Sequence, residues 1–153
     1  MSNPCDMIRD AIIMLFDIKA DDAREQPRYS LSLETWMFLD YELYSTLQWF
    51  HRYACEVKGE YVPVLVEEGR NIKIVMKPRG EVIAAFCGSI VSKIRKTIEV
   101  VEKDDFMDMN TRNTIMNILK KVSIALVDIC KDSLHEGTLR EIKRLAKQLS
   151  EIK

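Results

Sequence analysis

The 153 residues carry 23 Lys and Arg against 24 Asp and Glu, a formal charge of -1, with 47% hydrophobic and 31% charged side chains. That mixture excludes a disordered chain, and the length suits one domain spanning residues 1–153 rather than two. No run of about 18 apolar residues occurs and no basic leader with an apolar core opens the chain, so a cytoplasmic protein is expected, without secretion or membrane contact.

Asn3-Pro4-Cys5-Asp6 supplies a capping side chain, a proline at the first helical position and an early carboxylate. A first helix is predicted from about Pro4 to Lys19, with Ile8, Ile12, Leu15 and Phe16 on its apolar side. Residues 21–30, with Pro27 and several charges, read as a connection.

From Ser32 to about Lys58 the residues Trp36, Leu39, Leu43, Leu47, Phe50 and Ala54 recur at helical spacing, and the length leaves room for a bend or break midway. Seven aromatics fall in this segment and are expected at the centre of the core: Trp36, Phe38, Tyr41, Tyr44, Trp49, Phe50 and Tyr53.

The period then changes to two. Residues 61–66 and 72–76 are β-branched runs flanking Glu67-Glu68-Gly69-Arg70-Asn71, which predicts a β-hairpin at about 61–77. Pro63 lacks an amide proton, which puts its strand at an edge or makes the strand's start irregular. Two strands alone are marginal, and this hairpin must pack on helices or find another strand.

Three further helices follow, at about Glu81–Lys103, about Asn110–Lys131, and from Thr138 to the end. Thr138 and Glu141 have capping-box spacing. Trp36, Leu43, Leu47, Phe50, Phe86, Ile90, Ile94, Ile118, Val122 and Leu126 are expected to form one core. The fold class is therefore mainly α, a bundle of about five helices with one inserted β-hairpin.

Cys5, Cys55, Cys87 and Cys130 lie 50, 32 and 43 residues apart, without zinc-knuckle or CxxC spacing, and are expected as reduced, mostly buried thiols. Few Asn, Gln, Gly and Pro beside many Glu, Lys, Val and Ile lean toward a thermophilic source.

No phosphate-binding glycine loop, nucleophile elbow, HExxH or EF-hand loop is present, so no catalytic residue, metal ligand or cofactor is assigned. His51 and His135 read as ordinary surface or helix-end residues. Asp21-Asp22, Glu67-Glu68 and Asp104-Asp105 read as solvated loop carboxylates.

Charge is unevenly spread: residues 1–57 hold ten acidic and five basic residues, residues 58–103 six and nine, and residues 104–153 eight and nine. In the middle third, Arg70, Lys73, Lys77, Arg79, Lys93, Arg95 and Lys96 form the candidate nucleic-acid-binding set. Lys77 and Arg79 precede a helix start whose free amides attract anions. Lys73 and Lys77 share the strand face opposite Ile72, Ile74 and Met76. Arg140, Lys143, Arg144 and Lys147 form a second basic row on the last helix, whose apolar stripe should close the protein's own core.

These features favour a non-enzymatic helical subunit or adaptor of a larger assembly. It would touch nucleic acid through phosphate contacts and have a protein partner or form a homo-oligomer. Helical small subunits of CRISPR-type effector complexes, similar in size and helix content, exemplify this class, although no residue pattern here is diagnostic of them. The alternative is a small intracellular enzyme or ligand-binding protein without a recognisable motif.

Overall fold

The computed structural model describes residues 3–132 and 136–151. In chain order the elements are α1 (Pro4–Ala20), α2 (33–56), β1 (Tyr61–Glu68), β2 (Asn71–Pro78), α3 (Arg79–Lys103), α4 (Met109–Cys130) and α5 (Glu136–Ser150). The mainly helical bundle with its inserted hairpin is as the periodicities predict. His135 lies outside the described residues.

Capping sets the helix starts. The Asn3 side chain accepts the Cys5 amide at 2.8 Å, Ser32 accepts the Thr35 amide at 3.2 Å, and Asp108 accepts the Thr111 amide at 2.7 Å. The proposed Thr138 cap is not one. Helix α5 already includes Glu136 and Gly137, which puts Thr138 in its first turn. Burial of Ile142, Leu145 and Leu149 against the body fixes the register of that helix.

Helix α2 neither breaks nor stays α-helical: wider π turns occupy Leu39–Tyr44 and Arg52–Glu56. Its buried residues Thr35, Leu39, Leu43 and Leu47 recur every four positions. At 3.6 residues per turn, each four-residue step overshoots a full turn by about 40°, and the π winding takes back that overshoot to keep the four on one line. Most of the aromatics lie off this line. Of the seven expected at the core centre, only Phe50 is fully buried and Tyr53 nearly so, while Tyr41 and Trp49 face solvent. Trp36 is half-buried at the margin, where its indole N–H donates to the Lys19 carbonyl at 3.2 Å.

Helix α4 is central, packing on α1, α3 and α5. Leu43, Leu47, Phe50, Ile90, Ile94, Ile118, Val122 and Leu126 are all buried in the main cluster, with half-buried Phe86 packed against it. On α1 the stripe is Ile8, Ala11, Leu15 and Ile18, which leaves Phe16 exposed.

The cysteines are not reduced thiols. Cys5–Cys55 joins α1 to α2, and Cys87–Cys130 joins α3 to α4, with Cα atoms 5.9 and 6.3 Å apart. Both separations suit a disulfide. Sequence spacings of 50 and 43 residues carry no motif, because the pairing is made by helix packing alone.

Two acidic residues read as solvated are buried anchors. Asp21 accepts the amides of Arg28 at 3.0 Å and Tyr29 at 2.8 Å and an Arg24 guanidinium N–H at 2.8 Å. Burial alone would push its carboxyl up, but these bonds hold it below the usual carboxylate range. Asp104 anchors the α3–α4 turn to the start of α2 in the same manner.

Candidate nucleic-acid interface

The seven predicted basic residues fall into three groups. Arg70 occupies the two-residue hairpin turn after Gly69, whose φ of 63° suits the first central position of a type II′ turn. Lys73 pairs with Glu68 across the hairpin, and Lys77, half-buried, lies opposite Val62.

Arg79 is a fold residue. It begins α3 rather than preceding it; its backbone N–H donates to the Glu60 carbonyl at 2.7 Å and its guanidinium to the Ala54 carbonyl at 2.6 Å. Its amide is therefore not open to an anion. Lys93 lies about 20 Å further along α3 at 1.5 Å per residue. There it faces α2, donating to the Thr46 hydroxyl at 2.9 Å beside Glu42 at 3.4 Å.

Arg95 turns to another side of α3 and pairs with Glu141 of α5. Around that pair, Arg95, Arg140 and Arg144 line one open depression of about 370 Å³ with Gly137. Lys96, Lys143 and Lys147 are exposed on the same two helices. Thus the structure separates the hairpin cations from those of α3, and joins Arg95 to the basic row of α5. Sequence spacing showed that row but not which helix lies beside it.

The apolar stripe of α5 is consumed by the protein's own core, so Arg140, Lys143, Arg144 and Lys147 are held on its outer side. Three guanidiniums around one depression can bracket phosphate oxygens, with the planar forks Arg offers to such groups. Glu141 fixes Arg95 by its charge and reduces the local excess.

His51 ends the α-helical stretch Ser45–His51 of α2 and is half-buried there, with Nδ1 3.4 Å from Glu56 Oε1. No cysteine is left free to act with it. Among the described residues no group of three His, Cys, Asp or Glu could hold a metal ion, and no helix is long and apolar enough to cross a membrane. Comparison of the chain with protein-family models, curated proteins and solved structures finds no match.

Proposed function

We propose that the protein is a non-enzymatic helical subunit of a larger assembly that binds nucleic-acid backbone through α3 and α5. The observation carrying this reading is the convergence of Arg95, Arg140 and Arg144 on one open depression, with Lys96, Lys143 and Lys147 exposed on the same two helices. Such contacts neutralise phosphates without reading sequence, and their strength rises with the number engaged. Arg70, Lys73 and Lys77 of the hairpin add a secondary contact, while Arg79 and Lys93 act within the fold. Small subunits of CRISPR-type effector complexes remain an example of the class.

In this reading a cytoplasmic location goes together with a thermophilic source, because structural disulfides persist inside cells chiefly in hyperthermophiles.

The test is fluorescence anisotropy of a labelled single strand and a labelled duplex of arbitrary sequence, titrated with wild type and with K143E/R144E/K147E. The wild type should bind both at low salt, and the triple variant should lose at least tenfold in affinity with an unchanged circular dichroism spectrum. No binding by the wild type, or equal binding by the variant, contradicts the reading.

A further inference from the structure

The hairpin is apolar on both faces, and the helical body covers only one. Val62, Val64 and Val66 stand opposite Lys77, Val75 and Lys73 in the antiparallel register. At its base this face is turned inward, where Val62 is fully buried with Tyr53 and Val82 and Phe86 packs on them, while Lys73 near the tip stays exposed. The other face is built from Tyr61, Pro63, Leu65 and Glu67 opposite Pro78, Met76, Ile74 and Ile72. Tyr61, Leu65, Ile72, Ile74 and Met76 are exposed, from 57% at Met76 to 70% at Ile74.

Lysines inward and isoleucines outward is the reverse of what keeps a two-stranded sheet soluble. The five side chains expose on the order of 600 Å², at the top of the range for patches on monomers.

We infer that this face binds the same face of a second copy of this chain, hairpin stacked on hairpin about a two-fold axis that crosses the strands. Stacking two such patches buries on the order of 1,200 Å², the lower bound for a stable specific interface. The charge pattern selects the orientation. Glu67, at the tip, is the one charged residue on the face, and Tyr61 is at the base. A tip-to-base arrangement brings each Glu67 carboxylate to the Tyr61 phenol of the other copy, which can donate to it. A tip-to-tip arrangement sets two carboxylates against each other across an apolar layer.

The rim adds residues that favour contact. Trp49, Arg52 and Tyr53 of α2, with Pro63, Leu65 and Ile74, border a depression of about 200 Å³, and the Arg52 guanidinium lies 5.3 Å from the Trp49 ring centre. Exposed Trp and Arg beside an apolar patch are the residues that most often anchor an interface.

Sedimentation velocity over a concentration series up to about 100 μM, a range that reports micromolar association, tests the inference. The wild type should pass from monomer to dimer, and I74K and L65K should each remain monomeric. Both positions are exposed, so circular dichroism should not change. Within the pair, Y61K/E67K sets like charges together and should abolish the dimer, whereas Y61E/E67K restores opposite charges and should retain it. A wild type that stays monomeric throughout overturns the inference and leaves the face to a different protein. A dimer that survives I74K and L65K overturns it as well, by putting the contact elsewhere.

Discussion

The Thr35 hydroxyl donates a 2.6 Å hydrogen bond to the Asp104 carboxylate, 69 residues further along the chain and inside the protein. The amides of Ser32 and Phe106 donate to the same carboxylate, each at 2.9 Å. One side chain therefore joins the entry to α2 and the turn between α3 and α4. Replacing Asp104 by Ala leaves buried donors unpaired, at about 1–3 kcal/mol for each group that water cannot reach. We expect D104A to lose about 2–4 kcal/mol in urea unfolding, as a shifted midpoint at constant slope. D104N, which keeps one acceptor oxygen, should lose less.

Acid should act through the same anchors. Burial alone would raise the carboxyl of Asp104, but hydrogen bonds from Thr35, Ser32 and Phe106 hold it below its ordinary value. For Asp17 the hydrogen bond from Arg24 is the leading cause of the same downward direction, and for Asp21 burial pushes up but the amides of Arg28 and Tyr29, with Arg24, outweigh it. A carboxylate depressed on folding contributes stability that is complete above its unfolded value of about 3.9 and is lost as pH falls through its folded value. Urea midpoints should be flat from neutral pH down to about 5 and fall steeply below about 4. In D21N/D104N the fall should be shallower, from a lower starting stability.

The two disulfides close loops with separations of 50 and 43 residues, and chain entropy assigns each about 4 kcal/mol. C5S/C55S and C87A/C130A should each melt well below wild type, and their oxidised and reduced samples should differ less than those of wild type. Equal melting temperatures for wild type with and without reductant under unfolding conditions would contradict this.

Core truncation separates the centre from the margin. Leu126 is fully buried on central α4, and L126A should cost about 3–5 kcal/mol through lost burial and the cavity left behind. Phe86 is half-buried, with ring centres 6.3 Å from Phe50 and 5.7 Å from Tyr53. F86A should cost less, about 2–3 kcal/mol, by urea titration.

The starts of α1, α2 and the hairpin were legible because they follow from local chemistry: Asn3, Ser32 and the change of period at Tyr61 each announce an element within a few residues, whereas the Thr138 spacing did not mark a helix start. Pairings made by the fold were not. Cys5 meets Cys55, Asp104 meets Thr35 and Arg95 meets Glu141 only once the helices pack, and no spacing encodes these contacts. The stripe Leu39, Leu43, Leu47 and Phe50 of α2 was legible and is buried, whereas most of its aromatics lie off that stripe, so their number in the segment did not place them at the core centre. The candidate basic set mixed two kinds of residue that look alike in sequence: Arg79 and Lys93 tie elements together, whereas Lys96 lies exposed. Alternation in the hairpin did put Lys73 and Lys77 on the face opposite Ile72, Ile74 and Met76, but not which of the two faces the helices cover.

Nucleic-acid binding by the α3–α5 surface is tested most directly by the salt dependence of affinity. For duplex, the slope of log K against log salt is about -0.9 per phosphate neutralised, so four to six contacts give about -4 to -5. Wild type should show such a slope between about 50 and 200 mM salt, and K143E/R144E/K147E one shallower by about 2–3. A slope near zero for the wild type, or the same slope for both proteins, would contradict the account.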